Sequence, residues 1–191
     1  MGKHVEYRPE WVREDFIDFL AEKVNPLWAW KKAKARIVAK HHLSDDFVYI
    51  QLQPNHHFKA TDYQAGQSIL VTVLIAGVRW QRSYSIVEII ENGNLVIAVK
   101  QQGKVSNALT QQPVKSVVEI SKTQGEFVLK SQPHSALMIA SGSGITAIYA
   151  LINAALKRPQ TVSNIDLIYF TRDDSFHAEL QLLTEHYPQF K

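Results

Sequence analysis

The chain has no cysteine. Its 191 residues therefore hold no disulfide, and no thiolate for a structural zinc or an iron–sulfur cluster. Long apolar runs are missing too. No stretch approaches the roughly 20 apolar residues of a membrane-spanning helix. The N-terminus, "MGKHVEYRPEWVRED", is polar and has no secretory-leader pattern. A cytoplasmic location is the expectation. Charge of one sign is scarce: 21 Lys and Arg stand against 18 Asp and Glu, net +3, too little to argue for nucleic acid. His41-His42 and His56-His57 lack a third ligand at a metal-site spacing and read as surface histidines. There are no internal repeats and no low-complexity segments.

What is present fits an ordinary globular chain: 46% of residues are hydrophobic, enough at this length for a core without staples. Trp11, Phe16, Phe19, Leu20 and Val24 recur at helical spacing before Asn25-Pro26, which predicts an amphipathic helix from Glu10 to Lys23. The basic cluster Lys31, Lys32, Lys34 and Arg36 reads as a solvated strand face. From Ala35 the pattern turns to short strands: "ARIVAKHHL", "FVYIQLQP", "GQSILVTVLI", "RWQRSYSIVEII", "NLVIAVKQ" and "VKSVVEISKT". Asn92-Gly93 forms a hairpin turn between the fourth and fifth. Strands at this spacing predict a small antiparallel barrel or sandwich. A short helix is expected over Ser106 to Gln112, with Ser106 as its N-cap. After Pro133 the grammar becomes strand, turn, helix, strand, loop, helix, that of a parallel α/β sheet. Three parts follow: a helical extension over 1–33, a barrel over 34–132, and an α/β part over 133–191, with the boundary near Ser131 to His134.

Four stretches carry chemistry. In "SGSGITA", Gly142, Ser143, Gly144 and Thr146 occupy a G-x-G-x-x-A turn between a strand and a helix. Glycines there allow close backbone approach to a pyrophosphate, and the helix start supplies amide donors. "FTRDD" lies at the carboxyl end of the next strand, where open α/β sheets bind ligands. Thr171 and Arg172 there suit a 2′-phosphate and lean towards NADPH, although Asp173 and Asp174 follow. In "QQGKVSNAL", Gly103, Lys104, Val105 and Ser106 would aim amides at an anion. In "RWQRSYSI", a basic residue, an aromatic and a hydroxyl interrupt an apolar strand at Arg82, Tyr84 and Ser85.

Taken in order, these stretches resemble the ferredoxin–NADP reductase superfamily. "AGQSI" with "RSYSI" is similar to its "GQ…R-x-Y-S" signature, "GKVSNAL" to its "G-x-x-S-x-x-L" segment, and "SGSGIT" to its "G-[ST]-G-I" turn, over about Ala35 to Leu180. The N-terminal helix and "KVNPLW" resemble a bacterial subgroup fused to a C-terminal plant-type [2Fe–2S] ferredoxin domain, some members serving desaturases or oxygenases. The resemblance implies a six-stranded antiparallel Greek-key flavin barrel followed by an incomplete Rossmann-like nucleotide domain. The chain is then expected to be truncated, since too few residues follow Pro133 for a complete sheet. The cluster would belong only to a missing C-terminal domain.

The implied roles are as follows. Arg82 would neutralise the phosphates of FAD, which the pyrophosphate segment favours over FMN. Tyr84 would pack on the flavin and Ser85 bond near its N5, the two catalytic assignments. Val99 and Lys100 would line the flavin through their backbone, and the amides of 103–106 would hold the pyrophosphate. Ser143 and Thr146 would lie at the flavin–nicotinamide junction, and Thr171 and Arg172 at the adenosine end of NADPH or NADH. Period-two alternation separates Arg82 and Tyr84 from Ser83 and Ser85. For Tyr84 and Ser85 to touch one flavin, the strand must end or bulge beside Ser85. The implied function is an oxidoreductase passing electrons from NAD(P)H through FAD to an iron–sulfur ferredoxin-type acceptor. A flavin subunit without nucleotide oxidation, and a non-enzymatic partner-binding barrel, stay open.

Overall fold

Aliphatic and β-branched residues at alternate positions favour a pleated surface with one face buried. In the computed structural model, which describes residues 20–21, 23–29, 32–129, 134–157 and 162–191, six such strands close into a barrel. They are β1 (Lys34–His42), β2 (Phe47–Pro54), β3 (Ser68–Ile75), β4 (Val78–Ile89), β5 (Leu95–Lys100) and β6 (Val117–Ile120). The order β1-β2-β5-β4-β3-β6 is antiparallel throughout, and β6 closes the ring by pairing with both β1 and β3. Ile37, Ile50, Leu52, Ile69, Val71, Ile97 and Val99 fill the interior and are fully buried. Each contributes roughly 1.5–3 kcal/mol by leaving water. Helix α1 (Lys104–Gln111) plugs the barrel with Val105 and Leu109. Its last carbonyls are met by a cation: Lys40 Nζ donates to Thr110 O and Gln112 O, 2.7 Å each.

Two sequence expectations change here. Helix α1 starts at Lys104, not after Ser106. Gly103 takes the N-cap position and the Ser106 hydroxyl folds back as the third helical residue, accepting from the Gly103 amide at 3.0 Å. The solvated basic face is also corrected. Lys34 is buried, with Nζ donating to Pro26 O at 3.3 Å and Trp28 O at 3.4 Å, and Arg36 donates to Asn25 Oδ1 at 3.4 Å. These cations pin the 25–28 segment to β1. Lys31 and most of the helix expected over Glu10 to Lys23 lie outside the described residues, as does most of the boundary expected near Ser131 to His134.

Beyond the barrel, β7 (Ser135–Ser141) and β8 (Asn164–Phe170) pair in parallel, joined through α2 (Ile145–Leu156) and followed by α3 (His177–His186). Residues 189–191 begin a third parallel row: Phe190 bridges Ile165, and the Lys191 amide donates to Ile165 O at 2.9 Å. One face of this sheet packs on α2 through Met138 and Ala140. The other leaves Leu137, Ile139, Ile168 and Phe170 exposed. No helix among the described residues is long and apolar enough to cross a membrane.

The α/β part is fastened to the barrel by Phe176. Its ring, 1% exposed, meets Phe47 and Tyr49 of β2 and Tyr149 of α2 edge-on, with centroids 5.6, 5.9 and 5.3 Å away. To reach them its backbone takes φ 65°, a costly region for a bulky residue that the aromatic packing offsets. Gly66 marks a second close approach. It has φ +93°, and a Cβ there would sit 2.0 Å from the Phe127 carbonyl oxygen and 3.0 Å from Leu151 Cδ2. Gly66→Ala should therefore destabilise the protein by about 2–4 kcal/mol, through a left-handed backbone and a clash together. A denaturant midpoint within error of wild type would refute this close approach.

Candidate functional site

Strand β4 serves two neighbours in turn. Val78 to Ser85 pair with β3, and Ile86 to Ile89 pair with β5. Beyond Ile97, β5 peels away towards β2, so Ala98 to Lys100 have no partner on β4. The two strands splay into a wedge between Arg82–Ser85 and Ala98–Lys100. Two earlier residues brace its apex. Tyr63 Oη donates to Ile86 O at 2.8 Å, and Gln67 O accepts from the Ile86 amide at 3.1 Å.

Of the strand end or bulge expected beside Ser85, the structure has the bulge, which begins one residue on. Strand β4 continues through Ser85, and its bulge falls between Ile86 and Glu88. It is the partner strand that leaves. The free edge of β4 then presents residues of both its faces to one cleft of about 440 Å³. The cleft is lined by Arg82, Tyr84, Ser85, Lys100, the 103–106 segment, Ser143, Gly144 and Thr146. Trp80, Ser83, Ala98 and Gln102 join them without having been singled out by the sequence. Val99 points its side chain into the barrel core, so the contact the resemblance implies for it stays with its backbone. Gly142, Thr171 and Arg172 line a neighbouring cleft with Phe170, and Lys100 and Gln102 belong to both clefts.

The walls are donors. The Arg82 guanidinium is exposed and gives one N–H to Gln81 O at 2.8 Å, leaving others of its five for a ligand. At the start of α1 the Gln102 and Gly103 amides turn back onto the Ser106 hydroxyl, at 3.2 and 3.0 Å. Gly103 is therefore withdrawn from the expected amide cradle. Lys104, Val105 and Ser106 remain as first-turn amides with no intrahelical carbonyl to meet. Thr146 Oγ1 donates to Ser143 O at 2.9 Å, which pins the turn into α2. Burial pushes the Tyr84 phenol up to about 12, against the pull of Arg82, so it is a neutral flat face at physiological pH. No metal-binding cluster of His, Asp and Glu occurs among the described residues.

Lys100 ties the two clefts to the loop after β8. Its Nζ meets Asp173 Oδ2 at 3.0 Å, and Asp173 Oδ1 accepts from the Ser175 amide and Thr171 Oγ1, both at 3.0 Å. Ser175 in turn shares a 2.8 Å hydroxyl bond with Ser44 of the barrel.

Residues 34–129 match the family model of the oxidoreductase FAD-binding domain. The chain belongs to that family. Its curated relatives include a flavohemoprotein of Burkholderia sp. (29% identical over 177 residues, 89% of this chain and 44% of the relative). They also include an NADPH oxidoreductase of Mycobacterium tuberculosis (30% over 179 residues, 87% and 46%) and NADH-cytochrome b5 reductase 1 of Mortierella alpina (27% over 178 residues, 90% and 60%). The chain thus spans about half the length of these relatives. Among solved structures, the FAD/NAD-binding domain of a Vibrio cholerae nitric oxide dioxygenase superposes with TM-score 0.75 at 22% identity, covering 84% of this chain and 73% of that one. A Neisseria gonorrhoeae ferredoxin NADP+ reductase with bound FAD and NADP gives 0.69 at 18%, covering 84% and 66%. The fold of this FAD-binding domain is therefore a closed antiparallel barrel leading into an α/β part.

The cleft fits such a cofactor. Its described lining contains Arg82, Lys100 and Lys104, serine and threonine hydroxyls and helix-start amides, and no carboxylate. That donor set suits a diphosphate.

Asp173 makes the coupling of loop to barrel testable. Bonds from the Ser175 hydroxyl, then Lys100, then the Ser175 amide and Thr171 hold its carboxyl well below the usual range. A carboxyl depressed in the folded state stabilises it above the unfolded value of about 3.9, and that contribution fades as pH falls below it. Wild type should therefore lose more melting temperature than Asp173→Asn between about pH 5 and pH 3. Parallel pH–melting curves for the two would contradict it.

Proposed function

We propose that this chain is the flavin-binding part of an NAD(P)H-dependent oxidoreductase that hands electrons on to a protein acceptor. The observation that carries the reading is the wedge between β4 and β5, where Arg82, Tyr84, Ser85 and the start of α1 line one cleft. Bound FAD would supply the hydride acceptance and one-electron release that no side chain here can perform.

The chain's own residues bind and orient. Arg82 would neutralise phosphate charge from the free edge of β4, with the Lys104, Val105 and Ser106 amides facing it across the cleft. Tyr84, packed against the barrel core, would set the plane of the ring system, and the Ser85 hydroxyl would donate to a ring nitrogen. Ser143, Gly144 and Thr146 close the cleft from the α/β side, where a nicotinamide would approach. The adjoining cleft with Gly142, Thr171 and Arg172 would take the rest of the nucleotide. The Thr171 hydroxyl is engaged with Asp173, whereas Arg172 is exposed, which supports a 2′-phosphate and NADPH.

The acceptor we infer is an iron–sulfur ferredoxin-type domain or protein, possessed by the same enzyme or recruited to it, as in systems that feed desaturases or oxygenases. With no cysteine, this chain cannot hold that cluster itself. A haem acceptor is the second reading, favoured by the flavohemoprotein and cytochrome b5 reductase relatives. A cytoplasmic setting accords with either.

Purified chain incubated with FAD should stay yellow after free flavin is removed by desalting, and Arg82→Ala should bind FAD about 10- to 100-fold more weakly, the loss of a charge-assisted contact of roughly 1.5–3 kcal/mol. Unchanged affinity in a calorimetric titration would remove Arg82 from the phosphate site. A colourless wild type would sink the flavin reading.

A further inference from the structure

Trp80 lines the same cleft but stands outside the signature residues. It lies on the face of β4 shared with Arg82 and Tyr84, and its ring packs against the barrel core. Two features set it apart. The Lys104 ammonium sits over its ring, 4.6 Å from the centroid. Its indole Nε1 is buried and is a side-chain donor with no hydrogen-bond partner among the described residues. An unmet buried donor carries a cost that folded proteins rarely leave standing. A strand aromatic with nothing but packing to do would not need a cation on its face.

Position along the strand gives these features a direction. Each strand residue advances about 3.3 Å, so Trp80 lies roughly 13 Å from Tyr84, with Arg82 halfway between. If the ring system lies at Tyr84 and Ser85 and the phosphates at Arg82, Trp80 lies on the far side of the phosphates. A mononucleotide ends at its phosphate. Only a dinucleotide continues past it.

We propose that Trp80 and Lys104 form the subsite for the adenosine half of the flavin dinucleotide and set the preference for FAD over FMN; this rests on the flavin reading above. The indole face is a stacking platform for a purine, and the ribose or phosphate oxygens beside it offer acceptors of the kind Nε1 lacks. Lys104 is the hinge of the arrangement. Its ammonium rests on the indole by a cation–π contact, worth little at a wet site, and the adenosine-side phosphate, which FMN lacks, draws it away more strongly. The adenine then takes the face that the ammonium vacates.

The test is calorimetric titration of FAD and of FMN into wild type, Trp80→Leu and Lys104→Gln. Wild type should bind FAD more tightly than FMN. Each variant should lose about ten-fold in FAD affinity while FMN affinity changes less than about two-fold, so that the preference collapses. A general packing defect weakens both flavins together and leaves their ratio intact, which overturns the proposal. So does an unchanged ratio in Lys104→Gln, whose exposed side chain is not needed for folding. Wild type that binds FMN as well as FAD overturns the subsite while leaving the flavin reading standing; wild type that binds neither overturns both.

Discussion

The site depends on a sheet that cannot satisfy both edges of one strand along its whole length. Strand β4 is the longest in the barrel, and its two neighbours share it end to end. Closing a small barrel tilts and staggers the strands, so a pair that is bonded at one end separates at the other. Here the separation opens at Ser85 and Ala98. Elsewhere in the barrel an open edge would be a liability. At this place it is framed by α1 on one side and by the glycine turn before α2 on the other, and it becomes a cleft. The Tyr63 hydroxyl and the Gln67 carbonyl stop the split from running further by meeting Ile86 at its apex.

Much of this was legible in the sequence, for identifiable reasons. Most of the six strands announce themselves because one face is buried and period-two alternation survives closure into a barrel; in β4 only Ile86 and Val87 are buried. The Arg82–Ser85 and Gly142–Thr146 stretches are legible because their residue types are odd for their positions. Other features were not, and each depends on a contact between residues distant in sequence. Ser106 has the side chain of an N-cap, but Gly103 had already taken the extended conformation that starts the helix. Trp80 reads as an ordinary strand aromatic, because nothing local predicts that Lys104 will lie over it. Lys34 reads as solvated until Pro26 and Trp28 fold across it.

The two halves of the cleft come from different parts of the chain, and the contacts between those parts do not resemble one another. One is a fixed aromatic cluster around Phe176, held at the expense of backbone comfort. The other is polar: Lys100 on Asp173, Ser44 on Ser175, and Lys157 on Glu88 at 3.0 Å. Aromatic packing sets where the loop after β8 stands. The polar contacts set its orientation within that position. Lys100 belongs to both clefts, so any ligand that draws on its charge is felt by Asp173 and hence by the loop carrying Arg172.

The uncovered face of the β7–β8 sheet has a consequence of a different kind. Leu137, Ile139, Ile168 and Phe170 form an exposed apolar strip on one face of the sheet, and contiguous exposed apolar surface favours association. Preparative behaviour follows from this more than from the cofactor. Sulfate and other strongly hydrated salts strengthen the burial of such apolar surface, and urea weakens it. Phe170 belongs to this strip and also lines the cleft with Thr171 and Arg172, so whatever covers the strip is felt at that cleft.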